Sequence, residues 1–219
     1  VMQRAVIVSG ARTPIGRFGG AFKSFGAPDL GAVAIRATLE RASLDPSQVD
    51  EVIMGNALQA QDAGYVARLA ALRAGIPEEV PAITVNRICS SGLEAINLAA
   101  MMVIAGEVDI VVAGGTENMS MAPYLVRNVR WDGLHLGKSR LDDSVVETLT
   151  CPANFYHMGV TAENVADAYG VSREDQDAMA LASHQRAVAA IGKGRFDSQI
   201  ARVAVPQQRG DPVVVERDE

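Results

Sequence analysis

Cys89 stands in Val85-Asn-Arg-Ile-Cys-Ser-Ser-Gly92, where a short β-rich run gives way to a long apolar helical stretch. The first N–H groups of a helix have no intrahelical acceptor and point out of its N-terminus. A thiolate placed there is stabilised, and a backbone donor meets any oxyanion that develops on a substrate carbonyl. The residue types also allow a second reading, a free cysteine packed as a small hydrophobe. Cys151, followed by Pro152 and Ala153, is far from Cys89, and the close paired spacing of a zinc or redox motif is missing. His157 reads as a surface or capping histidine and Met158 as a core residue. Gly114-Gly115 has neither the GxGxxG spacing nor the Lys-Ser/Thr of a phosphate loop and reads as a turn for close backbone packing.

The elements around Cys89 alternate strand-like and helix-period segments from Arg4 to Gly115, which predicts an α/β layer architecture. Strands are expected at Ala5–Ser9, Glu51–Met54, Ala82–Asn86 and Asp109–Ala113. Helices with one apolar stripe are expected at Asp29–Ser43 and Tyr65–Ala74. The helix Gly92–Ala105 is polar only at Glu94 and Asn97, so it is expected to be buried all round, with a layer on each side. Beyond Gly115 the regular pattern lapses until a helical region near Thr161, which places a boundary near Met119. Ser172-Arg-Glu-Asp175 has capping-box spacing and opens a helix to about Ala190. Two short β runs, Ile200–Val205 and Val213–Val215, flank the turn-rich Gln208–Pro212.

The 219 residues are 48% hydrophobic and 21% charged, with mean hydropathy +0.11, as in a globular protein of one or two domains. Twenty basic against twenty-six acidic residues give −6 without a Lys/Arg-rich run. Nothing in that pattern points to nucleic acid or an anionic membrane surface. No signal peptide is read at the N-terminus, and no apolar run is expected to reach the ~18 residues that span a bilayer. Two distant cysteines suit a reducing, cytoplasmic setting, and no metal site is expected.

Asn86-Arg-Ile-Cys-Ser-Ser-Gly92 resembles the thiolase nucleophile motif Asn-x-x-Cys-x-Ser-Gly. Three further thiolase-like segments occur in the family's order, one before it and two after: Gly10-Ala-Arg-Thr-Pro-Ile-Gly16, Val112-Ala-Gly-Gly-Thr-Glu-Asn-Met-Ser-Met-Ala-Pro123 and His157-Met-Gly-Val-Thr-Ala-Glu-Asn-Val-Ala166. The resemblance implies half of a five-layered αβαβα core with an inserted loop domain. Residues 1–118 would be the N-terminal α/β half carrying the nucleophile, and 119–219 an incomplete loop domain covering substrate and coenzyme A. It implies acyl transfer between coenzyme A thioesters through an acyl-Cys89 intermediate, with the backbone N–H beside it as oxyanion donor. Leu149, His157 and Met158 would line the pantetheine and short-acyl pocket, as in biosynthetic acetoacetyl-CoA thiolases. Acetyl-CoA and acetoacetyl-CoA would be substrates, with no permanently bound cofactor.

Family members take their bases and a second oxyanion hole from Gly-His-Pro, Cys-x-Gly and Asn-Glu-Ala-Phe motifs, none of which occurs here. His135, His157 and His184 all lie outside such motifs. The resemblance therefore implies a C-terminal half or second subunit as partner, within a dimer or tetramer. Other readings are a non-catalytic acyl-CoA-binding or partner subunit and a related Claisen-condensing synthase. Two local departures from the family pattern are the loss of Gln and Pro in Gln59–Arg68 and Ser90 beside the cysteine, where Gly or Ala is commoner.

Overall fold

The computed structural model describes residues 4–59, 64–134 and 140–219. His135 and residues 60–63 of the Gln59–Arg68 departure lie outside the described residues. In chain order the elements begin with α1 (Ala27–Ala42), β1 (Glu51–Gly55), α2 (Val66–Ala74), β2 (Ala82–Val85), α3 (Ser91–Ala105), β3 (Val111–Gly115) and β4 (Tyr124–Leu125). They continue with α4 (Val129–Asp132), β5 (Asp142–Asp143), α5 (Ser144–Thr148), α6 (Met158–Tyr169), α7 (Arg173–Gly192), β6 (Val203–Val205) and β7 (Val213–Val215). They fall into two compact units, Val1–Tyr124 with Ile200–Glu219, and Leu125–Gln199. The sequence predicts a division at 118/119; here the first unit runs to Tyr124 and also takes in Ile200–Glu219.

In the first unit β1 lies between β2 and β3, parallel to both, with Ile53 level with Ile83 and Ala113. Side chains alternate across a strand. Val52 and Met54 join Ala32, Ile35 and Leu39 of α1 and Ala67, Ala70 and Ala71 of α2 in one core. Ile53 faces the other way, onto Ala95 and Ala99 of α3. The result is a three-layer α/β/α stack. Pro28 and Asp29 in the first turn of α1 and Arg41 in its last suit the helix start and dipole. Gly75 (φ 90°) and Gly106 (φ 76°) end α2 and α3 in the left-handed conformation. The short strands β6 and β7 pair antiparallel, and Val203 and Val205 pack on Phe22 and Leu30.

Three expectations are corrected. Ala5–Ser9 is no strand, and Val6, Ile7 and Val8 are exposed, because among the described residues no strand runs beside them to complete a ladder. Helix α3 is not buried all round: Ala95 is fully buried against the sheet, but on the opposite side Leu93 is 63% and Met101 55% exposed. A helix apolar on both faces needs two layers, and this unit supplies one. The third concerns membranes: Ile88–Ala105 is 18 residues with mean hydropathy 1.7, long and apolar enough by composition to cross a bilayer. Its few polar residues interrupt the visible run without lowering the average enough to fail that test, and core helices of soluble proteins pass it too.

The second unit is mainly helical. Ser172 caps α7, its Oγ accepting from Asp175 N–H at 3.1 Å, so the capping-box spacing holds with Asp in the third position. Arg127 pairs with Glu147 and Asp142, and Asp143 caps α5 by accepting from Val145 N–H at 2.8 Å.

Candidate active site

Between the end of β2 and the start of α3 the chain turns through Asn86–Ser90. Ile88 sits at φ 50°, in the left-handed region, which costs a β-branched residue roughly 1–2 kcal/mol. Four contacts hold it there. Ile88 N–H donates to Asn86 Oδ1 at 2.9 Å, and Ser91 N–H to Ile88 O at 3.0 Å. Ser91 Oγ accepts from Arg87 N–H at 2.7 Å and donates to Ile88 O at 2.6 Å. Arg87 also pairs with Glu94, one turn into α3. Cys89, next after the strained residue, is exposed, and Ser90, the N-cap of α3, makes no side-chain capping bond. The cysteine therefore lies beside first-turn N–H groups that no capping side chain has taken.

The turn is seated on the carboxyl ends of the parallel strands. A Cβ on Gly55 would lie 2.4 Å from Ser91 C and 2.5 Å from Gly92 N, and one on Gly115 would lie 3.3 Å from Gly92 Cα. Glycine at Gly55 is what lets the first turn of α3 approach the strand end this closely. Beneath the turn, Asn86 Nδ2 donates to Ala57 O at 3.1 Å. Glu117, just past β3, accepts from Ala57 N–H at 2.9 Å and Leu58 N–H at 3.0 Å through Oε2, and from Asn56 Nδ2 at 3.0 Å through Oε1. Sequence reasoning used Glu117 only as part of a family motif. An acidic residue two positions after a Gly-Gly strand end was the available signal.

The Gly10–Gly16 segment borders a cleft of about 350 Å³ together with Gly115–Ser120, and Cys89 is not among its walls. Arg12 donates to Asp218 Oδ1 and Oδ2 at 2.7 and 2.8 Å, and Ile15 N–H reaches Oδ1 at 2.8 Å. These bonds to Arg12 first, and to Ile15 N–H after burial's opposing effect, hold the Asp218 carboxyl below its usual range. The Arg12 guanidinium is raised by the same hydrogen bond. Among the described residues no group of three or more His, Cys, Asp and Glu gathers as metal ligands would.

The other three expected site residues lie in the second unit, close to one another. Met158 N–H donates to Leu149 O at 2.8 Å, and Thr150 bridges His157 in antiparallel pairing. His157 is the N-cap of α6, its Nδ1 accepting from Gly159 N–H at 3.0 Å, so the capping reading holds. Met158 is 40% exposed, and the core reading fails because α6 buries no side chain. Cys151 N–H and O bond Tyr156 and Phe155 across the loop joining these residues.

A cysteine exposed on a strained strand-to-helix turn above a parallel sheet defines an α/β protein with a nucleophile-elbow arrangement. Comparison with known proteins then places it: the chain belongs to the thiolase family, whose N-terminal domain matches residues 5–219. It is 52% identical over its whole length to a probable acetyl-CoA acyltransferase of Staphylococcus aureus and 51% identical to an acetyl-CoA acetyltransferase of Cupriavidus necator. In each case it covers 56% of the relative, so the chain spans about half the length of the curated relatives it matches. The crystal structure of a Bacillus anthracis acetyl-CoA acetyltransferase superposes with a TM-score of 0.95 at 42% identity, covering all of this chain and 55% of that one. The expected thiolase-like α/β fold, present in part, is therefore found.

Proposed function

We propose that this chain is the nucleophile-bearing half of a thiolase-type acyltransferase acting on short acyl-CoA. The observation that carries the reading is Cys89 exposed on the Ile88 elbow, beside the uncapped first turn of α3. The Cys89 thiolate attacks the acyl carbonyl of a coenzyme A thioester. The carbon–sulfur bond to coenzyme A breaks, its thiolate leaves and takes up a proton, and the acyl group stays on Sγ. A second acyl-CoA, having lost a proton from its α carbon to a base, then attacks that acyl carbon in a Claisen condensation. A carbon–carbon bond forms, Cys89 departs as thiolate, and 3-oxoacyl-CoA is released.

Both steps pass through oxyanions, for which the Cys89 N–H is the donor this chain offers. The bases come from a C-terminal half, carried by a longer polypeptide or a second subunit of an oligomeric, cytoplasmic enzyme. The open face of α3 is where such a half would supply the second layer. Leu149, His157 and Met158 then contact the pantetheine and acyl parts of the substrate, and their clustering supports assigning them together.

The test is to incubate the chain, together with a C-terminal half carrying the Gly-His-Pro and Cys-x-Gly motifs, with acetyl-CoA and locate the acetyl group by mass spectrometry. It should sit on Cys89 and vanish in Cys89→Ala. Acetylation that survives the substitution would overturn the reading.

A further inference from the structure

We propose that Glu117 is a positioning residue for Cys89, acting through two intervening links; this rests on the reading of Cys89 as nucleophile. The links are continuous and short. The Glu117 carboxylate takes the N–H groups of Ala57 and Leu58 on one oxygen and Asn56 Nδ2 on the other, so it fixes the turn that follows β1. That turn presents Ala57 O to Asn86 Nδ2. With its amide so oriented, Asn86 turns Oδ1 to the N–H of Ile88, the residue held at φ 50° immediately before the cysteine.

Asn56 is 1% exposed and spends both Nδ2 hydrogens, on Thr116 O at 2.9 Å and on Glu117, while its own Oδ1 has no partner among the described residues. A buried amide that leaves an acceptor unpaired yet gives both donors away is arranged around the acceptors it serves. An amide in place of the carboxylate could keep the Ala57 and Leu58 N–H groups on its one oxygen, but it would turn its NH2 toward Asn56 Nδ2, donor against donor. Charge-assisted bonds of this kind are about twice as strong as neutral ones. Their rigidity is what a left-handed isoleucine requires, since such conformations persist only where the surroundings over-determine them. The thiol direction is thus set at the far end of β3, across β1, and not only by residues next to it in sequence.

The experiment alkylates the whole 219-residue chain with iodoacetamide and follows Cys89 and Cys151 separately by peptide mass, in wild type, Glu117→Gln and Asn86→Ala. Urea unfolding and the Ile88 amide resonance are recorded for each. Cys89 should react faster than Cys151 in wild type. Each variant should keep a cooperative unfolding transition and an unchanged Cys151 rate, yet lower the Cys89 rate roughly tenfold, as the thiolate loses its place at the helix N-terminus. The Ile88 amide should shift and exchange faster with solvent. If wild-type Cys89 is no faster than Cys151, the nucleophile reading itself fails. If wild-type Cys89 is fast but either variant leaves its rate and the Ile88 amide unchanged, the positioning role alone is overturned. Loss of the unfolding transition in both variants would also overturn it, since Glu117 would then serve the fold as a whole.

Discussion

Glu51 opens β1 as a nearly buried carboxylate whose Oε1 has no partner among the described residues. By strand alternation it points to the same side as Ile53, toward α3. Burial pushes its carboxyl above the usual glutamate range, the opposite of its neighbour Asp50, whose carboxyl is held low by the N–H groups of Ile110 and Asp109. A carboxyl raised in the folded state is neutral in both states at low pH and costs nothing there. As pH rises from the ordinary glutamate value of about 4.3 through the raised one, the unfolded chain ionises first and stability falls. Glu51→Gln should therefore stabilise this chain at pH 7 and bring little or no gain at pH 4. Urea unfolding at the two pH values checks it, and an equal gain at both would show that the ionised group carries no penalty. At this scale the turn that exposes Cys89 was legible because its motif is local in sequence. Glu51 and Glu117 were not, because what matters about each is a neighbour from a distant strand.

Among the elements, the contact that decides the site is the seat of α3 on the strand ends. Gly55→Ala would drive a methyl group into the Ser91 and Gly92 backbone at 2.4 and 2.5 Å, and backbone cannot swing aside as a flexible side chain does. The first turn of α3 must shift. We expect a stability loss of about 1–3 kcal/mol by urea unfolding, the range for overpacking, together with slower Cys89 alkylation. A full-rate Cys89 in a destabilised Gly55→Ala would separate the elbow from the seat. Strands β1, β2 and β3 and helices α1, α2 and α7 were legible within a residue or two, because alternation, stripes and caps are written into short windows. Ala5–Ser9 was not, although its composition is that of a strand, because a strand exists only beside a partner. The burial of α3 was misread for the related reason that its composition describes two faces and only one is covered here.

In the whole molecule, the first unit is held at its margin by charge. Arg12 and Asp218 are joined by paired hydrogen bonds of 2.7 and 2.8 Å, and Glu219 accepts from the N–H groups of Arg17 and Ala21 at 3.1 Å each. With the Asp218 carboxyl depressed in the folded state, its contribution is complete above the ordinary aspartate value of about 3.9 and is lost as pH falls through the lower folded one. Asp218→Asn should therefore cost about 1.5–3 kcal/mol at pH 7, the range for hydrogen bonds to charged groups. The deficit should shrink below pH 4, where the wild-type carboxyl protonates too. Thermal unfolding of both proteins across pH 2.5–7 checks this, and a deficit constant with pH would mean that charge plays no part. The two-unit division itself was only half legible, since a lapse of periodicity marks where the chain leaves the first unit, whereas its return at Ile200 shows only in the contacts it makes.

That return has a consequence for the order of events in folding. Arg12 and Asp218 stand 206 residues apart in the chain, so the first unit is interrupted by Leu125–Gln199 and contains its own longest loop. Closing so long a loop is entropically costly and slow, and non-local contacts of this kind lower folding rates. During synthesis the sheet and its helices can assemble from residues already made, but the Gly10–Gly16 segment must wait for Ile200–Glu219 before its bonds to Ala201 and Asp218 can form. A single cut anywhere in Leu125–Gln199 would leave neither fragment with a complete first unit. Cys89 thus belongs to a body that is finished only once the Ile200–Glu219 segment has been made.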